Sequence, residues 1–277
     1  MMTPGESLRD TSFRIFNEAY EAYKPVAVFL LTSGGNDSIV PLHLFKDDPR
    51  ITAAMHIDTG IRVPQTEDHV RKVCKDFGLN LLVYRASENT KADGTPDPQL
   101  FEEIVKTHGF PGPSQHRIMY SKLKERQVRR LVRDYKQEWG DKIMLVTGVR
   151  KSESRRRMGT VSEVQTSGAQ VWVAPITHWE DSDMSVYRAH YQLPKNPVSE
   201  ALGMSGECLC GAYARPGELA KLELAFPETA AYIRKLEKDS KCPWGWEGHP
   251  SRAMSEVFHA DDDDMPLCTN CISKARA

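Results

Sequence analysis

Short, uninterrupted apolar runs alternate along the first two thirds of the chain with segments whose apolar residues recur at helical spacing. Residues 7–23 carry apolar positions three and four apart, and Pro25 ends that segment. Val26 to Leu31 is a continuous apolar run of strand length, followed by a glycine loop, a helix-spaced segment at 39–45 and a second buried strand over 51–57. The alternation continues with a charged amphipathic helix at 65–77, a strand at 80–84 and a long helix rich in Arg and Lys at 121–139. Strands at 142–147 and 171–176 follow, and then a helix that starts near Trp179. Runs that are apolar at every position belong to strands covered on both faces, so the pattern predicts an α/β fold with a doubly wound, mainly parallel sheet. Ligands of such sheets sit beyond the carboxyl ends of the strands, where the two conspicuous loops, 33–38 and 148–157, both fall. Beyond Pro194 the pattern changes to short helices with Trp and Cys. A boundary near residue 195 is therefore expected, giving a domain over 1–195 and a small helical, cysteine-containing module over 196–277.

A chain of 277 residues with 40% hydrophobic residues can bury a sizeable core, which excludes disorder as its main state. The formal net charge of -1 argues against a generally basic nucleic-acid coat. Between residues 115 and 157, however, fourteen Lys and Arg face five Asp and Glu, a local excess suited to phosphates or to a solvated helix face at Arg126, Arg129, Arg130 and Arg133. The first residues lack the order of a signal peptide and no apolar run reaches membrane length, so a soluble, cytoplasmic protein without membrane contact is expected. Asp261 to Asp264 reads as solvated linker.

The loop Ser33-Gly34-Gly35-Asn36-Asp37-Ser38 follows a buried strand and precedes a helix. A glycine pair there lets backbone N–H groups approach a phosphate closely, and hydroxyls at either end add donors. The loop lacks the Gly-Lys-Ser/Thr ending of the Walker type and the spacing of the dinucleotide fingerprint. The plain alternative is a tight strand-to-helix turn.

These six positions resemble the Ser-Gly-Gly-x-Asp-Ser loop of the N-type ATP pyrophosphatases (the PP-loop superfamily), whose fold is adenine nucleotide α-hydrolase-like. The resemblance implies that Ser33, Gly34, Gly35 and Ser38 bind the β and γ phosphates of ATP, with Asp37 supporting the loop or Mg2+. His56-Ile57-Asp58-Thr59-Gly60 looks like the Asp-Thr-Gly segment that lines the nucleotide pocket in the phosphoadenosine phosphosulfate (PAPS) reductase-like branch. Gly148-Val-Arg150-Lys-Ser-Glu153-Ser-Arg-Arg-Arg157 is similar to that branch's Gly-x-Arg-x-x-Glu-Ser-x-x-Arg signature. Arg150 and Arg157 can fork onto phosphate or sulfate oxygens, and Glu153 can orient an arginine or accept a ribose hydroxyl. Leu123-Lys124 matches the Leu-Lys that ends another stretch of the branch, but Met119 stands where many relatives have a cysteine. The resemblance implies catalytic roles for Asp37, Lys124 and Arg150.

Six cysteines without an export signal suit a reducing compartment. Cys208-Leu-Cys210 and Cys268-Thr-Asn-Cys271 form two close thiol pairs, suited to four thiolates on one metal or cluster. Spacing alone leaves zinc and iron–sulfur open, as it leaves independent buried thiols. The resemblance favours a [4Fe-4S] cluster over Zn2+. Cys242 could replace one of the four, and Cys74 reads as a plain buried thiol.

Thioredoxin-dependent PAPS reductases have a glycine loop without the Asp and a C-terminal Glu-Cys-Gly-Leu-His segment. This chain keeps Asp37, and its Glu207-Cys208 continues as Leu-Cys-Gly. The resemblance is thus nearest to the DNA phosphorothioation-type ATP pyrophosphatases. It implies cleavage of ATP to AMP and pyrophosphate with adenylylation of a DNA or RNA acceptor, sulfur coming from a cysteine desulfurase. A PAPS or adenylylsulfate reductase is the alternative, and a non-catalytic nucleotide-binding adaptor a third. The oligomeric state stays open.

Overall fold

The computed structural model describes residues 7–91, 93–97, 101–153 and 161–246. The side chain of Glu153, the whole of Arg157, Cys268 and Cys271, and the run Asp261 to Asp264 lie outside the described residues. The chain forms two compact units, one of residues 1–56, 68–83 and 129–195, the other of 57–67, 84–128 and 196–277. It crosses between them at 195/196 and also inside the first two thirds of the sequence.

The first unit is built on a six-stranded, mainly parallel sheet. In chain order its strands are β1 (Ala27–Leu31), β2 (Ala53–Asp58), β3 (Leu81–Arg85), β4 (Ile143–Val146), β5 (Val164–Ser167) and β6 (Gln170–Val173). Their order across the sheet is β3-β2-β1-β4-β6-β5. β1 pairs in parallel with β2 and β4, and β4 in parallel with β6, while β5 returns antiparallel at the edge. Every residue of β1, β2 and β4 is buried, which is why these strands read as unbroken apolar runs. The chain moves outward from β1 to β3 and then returns to place β4 on the other side of β1. The carboxyl ends of β1 and β4 therefore flank a topological switch point, where the ligand crevice of such sheets lies.

Helices cover both faces. Val28, Leu30, Ala54, Met144, Val146, Val171 and Val173 share one cluster with Ile15, Phe16 and Ala19 of α1 (Leu8–Tyr23). The same cluster takes in α2 (Ile39–Phe45), α3 (Pro64–Asp76) and Met184 of α7 (Asp181–His190). On the opposite face, Phe29 meets Tyr135 of α6 (Arg126–Tyr135) edge to face at 4.7 Å. Ser7 caps α1 by accepting from the N–H of Asp10 at 3.1 Å.

The second unit is helical. It contains α4 (Phe101–His108), α5 (His116–Tyr120), a π turn (Ser121–Glu125), α8 (Pro197–Leu202), α9 (Glu218–Ala225) and α10 (Pro227–Lys238). Its core gathers Phe101, Phe110, Leu123, Leu222, Ile233 and Trp244.

Three expectations need correction. The helix foreseen over 121–139 starts at His116, passes through the π turn and ends at Tyr135, where Asp141 accepts from the N–H groups of Gln137 and Glu138 at 2.8 Å and holds a turn instead. The strand foreseen over 171–176 stops at Val173, since Pro175 has no N–H to donate and Thr177 closes a turn onto the carbonyl of Ala174 at 3.1 Å. Strand β5 was not foreseen at all: three of its four residues are polar and exposed, so no apolar run announces it. No described helix is long and apolar enough to cross a membrane.

Phe16, fully buried and stacked on Phe45 at 4.5 Å, anchors α1 to the sheet. Phe16→Ala is expected to cost about 3–5 kcal/mol, measured as a lowered urea midpoint followed by circular dichroism.

Candidate functional site

Residues 32–38 leave the carboxyl end of β1 as a loop closed on its own side chains. The N–H of Gly34 donates to Thr32 Oγ1 at 3.2 Å and that of Gly35 to Ser33 Oγ at 3.3 Å. Ser38 Oγ donates to the carbonyl of Gly35 at 3.0 Å and lies 3.2 Å from Thr32 Oγ1. His56, buried near the end of β2, holds the carbonyl of Thr32 at 2.9 Å through Nδ1. The loop that follows β4 comes up against this one. A Cβ on Gly148 would stand 3.1 Å from both the carbonyl oxygen of Asp37 and Cα of Ser38, so any larger residue at 148 requires one of the two backbones to give by a few tenths of an ångström.

The electrostatic centre is Asp37. One carboxylate oxygen accepts from Arg150 Nη2 at 2.8 Å and the other from Arg188 Nη1 at 3.1 Å. Arg188, on α7, also donates to the carbonyl of Asn36 at 3.2 Å. Arg150 is buried, with 4% of its side chain exposed, and is held from several sides. Nη1 donates to Ser152 Oγ at 2.8 Å and to the carbonyl of Trp179 at 3.3 Å, and Nη2 pairs with Asp181 at 2.8 Å. Trp179 is fixed in turn through its indole N–H, which donates to Ser12 Oγ at 3.0 Å. The result is two preoriented guanidinium groups and a ring of hydroxyls and amides at the switch point of the sheet. That chemistry suits a polyanion such as a phosphate chain.

Of the residues foreseen for this site, Ser33, Gly34, Gly35, Asp37, Ser38, Gly148 and Arg150 come together here. Arg188, Asp181, Ser152 and Thr32 were missed. Arg188 and Asp181 had a faint signal, since a spacing of seven puts them on one side of a helix, but nothing in the sequence ties that helix to the glycine loop. Both oxygens of Asp37 serve guanidinium groups.

In the second unit, Asp58 belongs to a buried network of acids and guanidiniums. It pairs with Arg62 at 2.9 Å and with Arg85, and both arginines also reach Glu67 at 2.8 Å. Asp58 is half-desolvated, which opposes ionisation, but the hydrogen bonds from Arg62 and from the N–H of Gly60 outweigh burial and hold its carboxyl below the usual range. Thr59 Oγ1 donates to the carbonyl of Glu207 at 2.9 Å. Lys124 is buried, and its ammonium meets the Glu207 carboxylate at 2.9 Å.

Cys208 and Cys210 line a shallow, half-open hollow together with Tyr213, Glu218 and Trp244. The indole N–H of Trp244 donates to the carbonyl of Leu209, between the two thiols, at 2.7 Å. The hydrogen bond with Cys210 pulls the Cys208 thiol down to about 7 against the opposing effect of burial, with Lys124 adding to the shift. Two neighbouring thiols, one of them acidified, fit two positions of a thiolate metal site. Among the described residues no three metal-ligating side chains converge. Cys74 is buried in α3, its thiol pushed up to about 11 by desolvation.

The sequence profile described as phosphoadenosine phosphosulfate reductase domain matches residues 27–202. A phosphoadenosine 5'-phosphosulfate reductase of Xylella fastidiosa (strain M23) is 29% identical over 173 residues, covering 62% of this chain and 66% of the relative. The reductase of the same name from Xanthomonas euvesicatoria pv. vesicatoria (strain 85-10) is 30% identical over 176 residues, covering 64% and 67%. The chain thus spans just under two thirds of the Xylella relative's length. Among solved structures, the PAPS reductase of Candida auris in a phosphate complex aligns with a TM-score of 0.50 at 20% identity, over 71% of this chain and 85% of that one. That is a likeness of fold.

Two outcomes follow from the geometry. Gly148→Ala forces residues 37 and 38 to move, which is expected to cost about 1–3 kcal/mol in urea unfolding. His116, buried against Tyr213 at 4.8 Å, is held down to about 4 by desolvation, with Lys124 adding to the shift. The unfolded chain therefore takes up a proton near the ordinary histidine value, and the folded protein only at the lower one. Stability should fall by roughly 3 kcal/mol as pH drops through that window, and His116→Gln should remove this part of the slope in urea titrations at successive pH values.

Proposed function

Because the chain belongs to the phosphoadenosine phosphosulfate reductase domain family, we propose that its first unit grips the phosphate chain of an adenine nucleotide and that the protein is an AMP-forming ATP pyrophosphatase. The observation that carries this reading is Asp37, retained in the glycine loop and bonded to both Arg150 and Arg188. In the reaction, a nucleophilic oxygen of the acceptor attacks the α-phosphorus, the bridging bond to the β-phosphate breaks, and pyrophosphate leaves. Negative charge accumulates on the leaving group, where fixed guanidiniums and loop donors are worth most. Ser33, Ser38 and the amides of Gly34 and Gly35 exchange their internal hydrogen bonds for phosphate oxygens. Asp37 holds the two arginines in register, and magnesium arrives with the nucleotide.

The adenylylated acceptor is then the target of sulfur transfer. The acceptor class in this reading is nucleic acid, including DNA that receives a phosphorothioate, with a cysteine desulfurase as the sulfur source. Cys208 and Cys210, with Cys268 and Cys271, would hold a [4Fe-4S] cluster. When bound, it supplies a metal position for a sulfur species.

A second reading, PAPS or adenylylsulfate reductase, is favoured by the acidified Cys208 thiol beside Glu207 and by the names of the relatives. Anaerobic incubation with magnesium and ATP labelled at the α-phosphate, with and without DNA or RNA, separates the two. Labelled AMP and pyrophosphate are expected, and Asp37→Ala should lower AMP formation by at least about 100-fold. Intact ATP, together with sulfite release from PAPS and a thiol reductant, would make the reductase reading the right one.

A further inference from the structure

The amino edge of the sheet, at the other end of the strands from the glycine loop, carries a surface that the nucleotide reading leaves unused. Helix α6 buries Leu131 and sets Tyr135 against Phe29 of β1. Arg129, Arg133 and Lys136, spaced four and three apart, therefore line its outward face, and the N–H of Lys136 still donates to the carbonyl of Val132 at 2.9 Å. The chain then turns, with Asp141 accepting from the N–H groups of Gln137 and Glu138. This turn is joined to the strands beside it. The N–H of Val26 donates to the carbonyl of Lys142 at 2.9 Å, and Lys142 Nζ donates to the carbonyl of Gly168 at 2.7 Å. Within the turn stands Trp139, 95% exposed, with the Lys136 ammonium 5.1 Å from its ring centroid. Val26, bonded to Lys142, is itself 54% exposed.

A basic helix end has a plain explanation, since cations offset the partial negative charge of the last carbonyls. That explanation does not reach Trp139, whose indole gives the core almost nothing and stands in water beside the cations. Between residues 129 and 142 five Lys and Arg face three acids, Asp134, Glu138 and Asp141. Asp141 is engaged by the N–H groups of its own turn, and Asp134 lies 3.5 Å from Arg133. An open aromatic ring next to a row of cations is complementary to a ligand that offers flat rings and regularly spaced negative charge together. An acidic peptide offers the charge without the rings, and a duplex keeps its bases stacked inside. An unpaired strand offers both.

We propose that Arg129, Arg133, Lys136 and Trp139 form a docking surface for single-stranded nucleic acid, in which Trp139 stacks on a base and the cations follow the phosphates. The surface stands at the opposite end of the strands from the phosphate loops, so it supplies affinity and takes no part in bond breaking. It does not depend on the pyrophosphatase reading, because the binding it predicts needs no ATP.

The test is the fluorescence anisotropy of a labelled oligothymidylate, and of an abasic strand of the same length, titrated with the full chain in the absence of nucleotide. Trp139→Ala should weaken oligothymidylate binding about tenfold, while Trp139→Phe, which keeps an aromatic face, should stay within about threefold of the wild type. The abasic strand should bind the wild type and Trp139→Ala alike. Arg133→Ala should reduce the steepness of log affinity against log salt by about 0.7. All three variants replace exposed side chains, so their melting midpoints should match the wild type. Equal binding of oligothymidylate by Trp139→Ala and the wild type, or no binding by the wild type, would overturn the proposal. Displacement of the strand by polyglutamate at equal charge concentration would make this a surface for acidic protein segments and overturn it as well. So would a loss of binding in Asp37→Ala that Trp139→Ala does not share, since the strand would then lie on the phosphate loops.

Discussion

A single carboxylate shared between two guanidiniums organises the first unit's functional edge. Arg150 comes from the loop after β4, Arg188 from α7 and Asp37 from the loop after β1, so three segments far apart in sequence are drawn together by one side chain. Arg150 is nearly fully buried, and a buried guanidinium without a partner would cost several kcal/mol. Asp37, Asp181, Ser152 and the Trp179 carbonyl partner its two Nη groups. The same contacts that make its burial tolerable also fix its direction, so stability and preorganisation are supplied by one network. Both guanidiniums point where they do before any ligand arrives, which removes a reorganisation cost from binding.

The sheet was readable from the sequence because its central strands are buried on both faces and must be apolar throughout. Its edge was not. Strand β5 shows three polar residues to solvent and is held by backbone ladder bonds to β6, which leave no trace in side-chain pattern. The helix at 116–135 kept its periodicity but not its ends, because those depend on local bonds, such as that of Asp141 to two N–H groups, that hydropathy does not encode. At the site, the glycine loop and the Arg150 loop were legible because their chemistry is compressed into contiguous motifs. Arg188 and Asp181 were not, since each gains its meaning from a partner elsewhere in the chain.

The second unit shows the same principle in its thiol segment. The spacing of Cys208 and Cys210 announced a pair, but the acidified thiol depends on how the segment is seated. Trp244 grips the carbonyl of Leu209, and Lys124 lies paired with the adjoining Glu207. The network of Asp58, Glu67, Arg62 and Arg85 likewise turns an Asp-Thr-Gly turn, readable as a motif, into a rigid acid and base lattice whose other members carry no motif at all.

The contact of Gly148 with the backbone of Asp37 and Ser38 has a consequence for how such a protein can vary. At this contact the two loops meet main chain to main chain, with no side chain between them through which one could adapt to a change in the other. A lengthened or bulged first loop would strike residue 148, and a larger residue 148 would lift the first loop. The pair can drift only together, as one inherited block, while the exposed hairpin at the sheet edge is free to change alone.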